Sequence, residues 1–352
     1  MSKSDEIEIE PIESERTDED AGQVEYEIAS YPADFTLKGL YEKWKAKNML
    51  LPPFQRQFVW TLTQSSRLVE SFLLGLPVPA VFLYKERTSQ KFLVIDGQQR
   101  LLSVFFFFSG KFPGDRIFRL KGLRTHWDQK TFDELSEPDK LKLEDAVLRA
   151  TIVTQLDPKD DSSIYHVFER LNTGSVQRTN QEVRNCVYWG KLNELMKELN
   201  NMPAWRALLG KTSLDPRQKD IELILRCLAL HHEFGKYEKP MKEFLNKFMG
   251  GNRNPSDDSL HQIKVLFTET CTRICQSLGS KPFHIKAGLN TAALDAVFVA
   301  FAANRTSAPS DIAKRYDSLT ANEAFENTVS AGTTDVDTVK KRIKLAKEIL
   351  FS

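Results

Sequence analysis

The string Asp96-Gly97-Gln98-Gln99-Arg100 combines a carboxylate, a glycine, two amides and a guanidinium in five consecutive positions. The apolar run Phe92-Leu93-Val94-Ile95 leads into it and reads as a buried strand, and Leu101 to Phe108 follows as an apolar helix. A polar pentad between a core strand and a core helix sits at a helix start. Helix starts present unpaired N–H groups and the positive end of the dipole, which suits phosphates. Glycine lets a ligand approach the backbone, and arginine can fork onto a phosphate or carboxylate. The plain alternative is structural, with Asp96 capping the helix and Arg100 pairing with a carboxylate. Gln98 and Gln99 weigh against it, because amides at an otherwise apolar place need partners and a ligand can be one.

Two further polar clusters qualify. Gln55-Arg56 lies between Pro53 and Trp60; as a mere exposed loop, it would only serve to turn Phe54, Phe58 and Trp60 inward. Glu169-Arg170 with Asn172 precedes a glycine loop, and Glu182, Arg184 and Asn185 follow. Here a C-cap (Asn172), a capping-box partner (Glu182) and a solvated charge (Arg184) are equally good readings. His231 and His232 are helix neighbours about 100° apart and cannot easily share a ligand. Walker A, dinucleotide-glycine and zincin strings are absent.

The elements that must position these residues follow from capping and periodicity. A helix over 36–47 is followed by a short extended piece at 49–51. Thr61 and Gln64 form a capping box for a helix ending near Gly75. Pro77 and Pro79 force an extended entry into a strand over 80–84, which returns over 91–95. A strand at 117–120, a helix over 133–145, a strand over 148–156 and a helix from Ser162 or Ser163 to Leu171 come next. A second capping box, Thr179 with Glu182, opens a helix continuing to about Leu199. The rest is helical, most clearly over 221–234, 241–249, 260–278, 292–302 and 336–351. The expected class is α+β: a mixed front half with few strands, then an all-helical domain. The expected divisions are an acidic disordered tail over 1–30, a first domain over 31–190 and a helical domain over 191–352.

The chain has 352 residues and a net charge of +1, which hides an asymmetry. Residues 1–27 hold 11 Asp/Glu and 2 Lys/Arg, a net of −9, leaving 47 basic and 37 acidic residues and a net of +10 elsewhere. The tail is thus either a solubilising arm or a competitor of nucleic acid for a basic surface. No apolar run approaches the roughly 18–20 residues of a membrane helix, and no signal peptide opens the sequence, so a cytoplasmic protein without membrane contact is expected. Cys186, Cys227, Cys271 and Cys275 are spread over helical segments and read as reduced thiols.

Three ordered stretches together resemble a known family. They are Pro53-Phe54-Gln55-Arg56 with Val59-Trp60; Leu68 to Ser71 and Gly75 to Pro79 leading to Val94 to Leu101; and Val167 to Gly174 with Thr179 to Asn185. They resemble the N-terminal domain of GmrSD-type restriction endonucleases, of the ParB/sulfiredoxin-like fold, from about residue 35 to 190. The resemblance implies a small mixed sheet with helices and a nucleotide pocket. In it Asp96, Gly97, Gln98, Gln99 and Arg100 meet the phosphates and carry the chemistry, Gln55 and Arg56 line the pocket, and Glu169, Asn172 and Arg184 close it. Asp96 would hold a metal ion, Mg2+ by this reading, or position water. It further implies a nucleoside triphosphate as ligand or substrate, DNA as a partner, and a partner nuclease or ATPase subunit or a homo-oligomer. Residues 191–352 lack the histidine-rich nuclease pattern that many relatives carry at their C-terminus. Triphosphate hydrolysis coupled to DNA recognition in restriction or phage defence is therefore the leading expectation. A non-hydrolytic DNA-sensing module acting with a partner nuclease, or a metal-dependent nickase, are the alternatives. Arg100→Ala is expected to abolish triphosphate binding and leave the fold intact.

Overall fold

The computed structural model describes residues 7–9, 28–51, 58–87, 89–156, 162–171, 179–285, 288–304 and 308–352. The chain divides into two compact units, Tyr26–Gln177 and Arg178–Ser352 joined by Met1–Glu25. The architecture is α+β, with the sheet in the first unit and a helical second unit.

In the first unit the order is β1 (Ile28–Thr36), α1 (Leu37–Lys45), β2 (Met49–Leu50), α2 (Leu62–Leu74), β3 (Val81–Lys85), β4 (Phe92–Asp96), α3 (Gln98–Phe108), β5 (Lys111–Phe112), β6 (Arg116–Ile117), α4 (Glu137–Asp145), β7 (Val147–Gln155) and α5 (Ser162–Leu171). Five strands form one mixed sheet in the order β1-β7-β3-β4-β2, and β5-β6 is a separate ribbon. β1 runs antiparallel to β7 along its whole length, from Ile28 opposite Gln155 to Thr36 opposite Val147. β7 is parallel to β3, β3 antiparallel to β4, and β4 parallel to β2.

Alternation decides the faces of β3 and β7. Val81 and Leu83, with Leu148, Ala150 and Ile152, enter one core with Val69, Leu73, Leu101, Val104 and Phe105. β4 does not alternate: Phe92 to Ile95 are all buried, as its unbroken apolar run requires, and α5 packs against β4 and β7. α2 begins at the capping box of Thr61 and Gln64 and stops at Gly75. Four consecutive phenylalanines make α3 apolar on every side, so it needs partners all round. Phe105 stacks on Trp44 at 5.1 Å, Phe106 meets Phe58 at 5.0 Å, Phe107 meets Phe118 at 5.2 Å and Phe108 meets Phe132 at 5.1 Å. Each such pair adds about 0.5–1.5 kcal/mol beyond its buried area, so α3 is firmly held along its length.

The second unit contains α6 (Asn180–Val187), α7 (Lys191–Asn200), α8 (Pro203–Leu209), α9 (Lys219–Glu233), α10 (Met241–Gly251), α11 (Asp257–Leu278), α12 (Thr291–Ala303), α13 (Ile312–Thr320), α14 (Glu323–Ser330) and α15 (Val336–Phe351). α12 is buried from Thr291 to Ala302 and packs against α9, α11, α14 and α15. Its one charge, Asp295, sits between Arg226 of α9 at 2.6 Å and Arg342 of α15 at 3.3 Å. Cys186, Cys227 and Cys271 are buried free thiols, and burial pushes the last two well up, away from thiolate chemistry.

Several boundaries differ from the sequence reading; the strand expected over 117–120 is the short β6, and the helix expected from 133 starts at Glu137. The helix expected to run from Thr179 to about Leu199 is two helices, because a Cβ on Gly190 would lie 2.3 Å from the Arg253 carbonyl and the chain must pass extended there. β1 occupies residues assigned in part to the tail. Residues 7–9 of that tail pack on the helical unit, with Ile7 2% exposed. The segment 178–190 also groups with the helical unit.

Candidate functional site

β4 delivers Asp96 to the edge of the buried layer, and the chain turns at once into α3. The turn is made by Gly97 at φ 96°, in the left-handed region. A Cβ there would meet Val81 Cγ1 at 2.3 Å, so both conformation and space demand glycine. α3 has no side-chain cap, which leaves its first-turn N–H groups for solvent or a ligand. By contrast, α1, α2, α4 and α6 all start on a capping hydroxyl.

Arg100 does not point out of this corner. Its Nη2 donates to Asp96 Oδ2 at 2.7 Å, and Nη1 donates to the carbonyls of Pro79 and Ala80, the latter at 3.1 Å. The side chain is 16% exposed while that of Asp96 is 50% exposed. Arg100 thus ties the end of β4, the start of α3 and the proline entry to β3 into one knot, and aims the Asp96 carboxylate. Removing the Arg100 side chain would take a partner from both carbonyls, of which the one of Ala80 is part-buried, so Arg100→Ala is expected to lower stability as well as ligand affinity. The partner that sequence could not supply is backbone, for which the run Pro77-Val78-Pro79 was the available cue.

Gln99 also works on backbone. Its Oε1 accepts from Val59 N at 3.0 Å and Trp60 N at 3.2 Å, fixing the chain just beyond the Gln55-Arg56 cluster. Gln98 is half-buried, and its side chain makes no hydrogen bond among the described residues. Behind them, Ser103 Oγ donates to the Gln99 carbonyl at 2.8 Å and lies in hydrogen-bond contact with Ser65 Oγ at 3.0 Å, locking α3 to α2. Asp96 Oδ1, Gln98 and the uncapped first turn of α3 are therefore the groups at this corner left for a ligand.

The remaining expected residues are spread more widely. Gln55, Arg56 and Asn172 lie outside the described residues. Glu169 is on α5 of the first unit, with Oε2 3.5 Å from His166 Nδ1. Arg184 belongs to the helical unit and is 1% exposed. Its Nε donates to Asn246 Oδ1 at 2.8 Å, and Nη1 to Glu222 Oε2 at 2.9 Å and Gln181 Oε1 at 3.2 Å. Asn185 continues this network to Gln181, Gln218 and Asn193. Glu182 closes the capping box by accepting from Thr179 N at 2.6 Å. The string Thr179 to Asn185 therefore knits α6 into α7, α9 and α10. Among the described residues no three His, Cys, Asp or Glu side chains gather as a metal cluster, and no helix is long and apolar enough to cross a membrane.

Residues 37–189 match the family described as GmrSD restriction endonuclease, N-terminal domain. The match begins at α1 and covers the pentad, α5 and α6. No curated protein matches the chain. The stretch from α1 to α6 is similar to the GmrSD-type N-terminal domain, and residues 190–352 lie beyond the match.

Proposed function

We propose that the β4–α3 corner binds the phosphates of a nucleoside triphosphate, and that hydrolysis of this ligand is coupled to DNA recognition in restriction. The observation that carries this reading is the uncapped, glycine-started N-terminus of α3 beside a half-exposed Asp96 held in place by Arg100. N–H groups of the first turn and the helix dipole would receive phosphate oxygens, and Gln98 would add an amide donor. Binding by fixed donors costs no reorganisation when charge develops on a transferred phosphoryl group, which is the main demand of that chemistry.

Asp96 is a single carboxylate with one oxygen committed to Arg100 and the other without a partner among the described residues. That suits Mg2+, which is commonly held by one or two carboxylates plus substrate phosphates. The ion would supply charge neutralisation. Asp96 itself would hold it or orient water, and Arg100 would keep the carboxylate aimed. By this reading DNA cleavage itself would be supplied by a partner nuclease.

Calorimetric titration with ATP and GTP, with and without Mg2+, tests the binding step. Phosphate release with and without DNA tests the coupling. Wild-type protein should bind a triphosphate, and Asp96→Asn should retain binding with Mg2+-dependent release lost. Absence of binding of any triphosphate would refute the reading. Magnesium-dependent plasmid nicking lost in Asp96→Asn, without phosphate release, would replace it with direct cleavage.

A further inference from the structure

The acidic N-terminal segment has a specific seat. Ile7 is 2% exposed on the helical unit, its N–H donates to Asp215 Oδ2 at 2.7 Å, and Leu289 N donates to the Glu8 carbonyl at 2.9 Å. Ile9 pairs in parallel with Leu289. Asp215 is fixed in turn by accepting from Arg217 N at 2.7 Å. The sequence around this seat, Glu6-Ile7-Glu8-Ile9-Glu10, alternates with the period of a strand. One set of side chains can therefore be buried while the acids face outward, and Glu8 is indeed exposed.

Glu8 and Ile7 line a cleft of about 340 Å³ whose charged walls are Lys211, Lys281 and His284. Among the described residues its one carboxylate is Glu8, and the other titratable groups lining it are basic. The body beyond residue 27 carries a net of +10 and the first 27 residues a net of −9. Residues 7–9 thus set an anion against cations, the charge pattern that a nucleic-acid backbone would present there.

We infer that the cleft bordered by Lys211, Lys281 and His284 binds the phosphodiester backbone of DNA, and that residues 7–9 hold Glu8 against it as a built-in competitor. Ile7 and its two neighbouring backbone pairings supply the anchor, and Glu8 supplies the charge at the cleft. Release of the anchor exposes the cations. The choice of DNA over other polyanions rests on the restriction reading above. The site itself lies on the helical unit and shares no residue with the β4–α3 corner.

The test is fluorescence anisotropy of a labelled DNA duplex with the full chain, titrated over salt. Ile7→Ser keeps every acidic charge and removes only the anchor. It should bind DNA more tightly at low salt, with a slope of log affinity on log salt steeper by about 2, the share expected of two lysines. Adding Lys211→Ala and Lys281→Ala should abolish the gain. Glu8→Gln leaves the anchor in place and should give a smaller gain, which keeps the test valid if Ile7→Ser melts the helical unit. No gain in either variant, or a gain indifferent to the two lysine changes, overturns the proposal. Binding of an acidic peptide but not of DNA by a chain lacking residues 1–10 would overturn it in favour of a protein partner. Triphosphate binding should be unchanged in all these variants, so failure here and failure of the corner read out separately.

Discussion

Gly97→Ala should damage the corner through two separable terms. Alanine at φ 96° takes up a left-handed conformation, which costs roughly 1–2 kcal/mol. Its Cβ would also lie 2.3 Å from Val81 Cγ1 and 2.9 Å from Val81 Cβ, and overpacking of a closed core costs about 1–3 kcal/mol. The sum is about 2–5 kcal/mol, a large share of the stability of an ordinary domain. Val81→Ala removes the methyl group at 2.3 Å, keeps the Cβ at 2.9 Å and leaves the backbone conformation as it is. A double-mutant cycle read by urea denaturation therefore isolates the main packing term. The Gly97→Ala penalty should fall by about 1–2 kcal/mol in the Val81→Ala background, leaving the conformational part and the residual Cβ contact. Penalties that add to within about 0.5 kcal/mol would show that Gly97 does not abut Val81, and the packing of the β4–α3 turn on β3 would be wrong.

Other substitutions probe the knot around this turn and the network of α6. Gln99→Ala removes the acceptor of the Val59 and Trp60 N–H groups, the first exposed and the second part-buried, and should cost about 0.5–1.5 kcal/mol, while Gln99→Glu keeps an acceptor and should cost clearly less; equal losses in chemical denaturation would count against the bond. Arg100→Ala should lose about 1.5–3 kcal/mol of stability as well as ligand affinity, and an unchanged urea midpoint would contradict its role as a clamp. Arg184→Ala should destabilise the helical unit by about 3–5 kcal/mol, since it leaves Glu222 and Asn246 without their partner; hydrogen exchange localised to α6, α9 and α10 is the readout, and an unprotected first unit instead would refute it.

Much of this layout was readable because local chemistry announced it. Both capping boxes, at Thr61 and Thr179, start the helices their spacing predicts, and the unbroken apolar run of β4 marks a strand buried on both faces. β1 was hidden for physical reasons. It is an edge strand, largely exposed, with Pro32 in its middle and an acidic stretch before it, so it lacks the alternation of a half-buried strand. The break at Gly190 depends on the Arg253 carbonyl, 63 residues away, and no local pattern carries that. In the pentad, the flanking runs pointed to the strand-to-helix turn that β4 and α3 form, but not to the division of labour among its side chains. Arg100 and Gln99 spend their polar groups on backbone at Pro79, Ala80, Val59 and Trp60, and backbone groups leave no trace in residue identity. From sequence Arg184 reads equally well as a solvated charge; its burial becomes visible only when α9 and α10 are packed around α6.

The central claim is that phosphates bind at the start of α3, and Gln98→Glu tests it most directly. Gln98 is the first residue of the helix, where a carboxylate interacts favourably with the dipole by about 0.3–1 kcal/mol. The same carboxylate would stand about 5 Å from a bound phosphate, a repulsion of roughly 3 kcal/mol at an effective dielectric of about 20. Thermal stability should therefore hold or rise while triphosphate affinity falls by about tenfold or more. A variant that binds the triphosphate as tightly as the wild type would contradict the account.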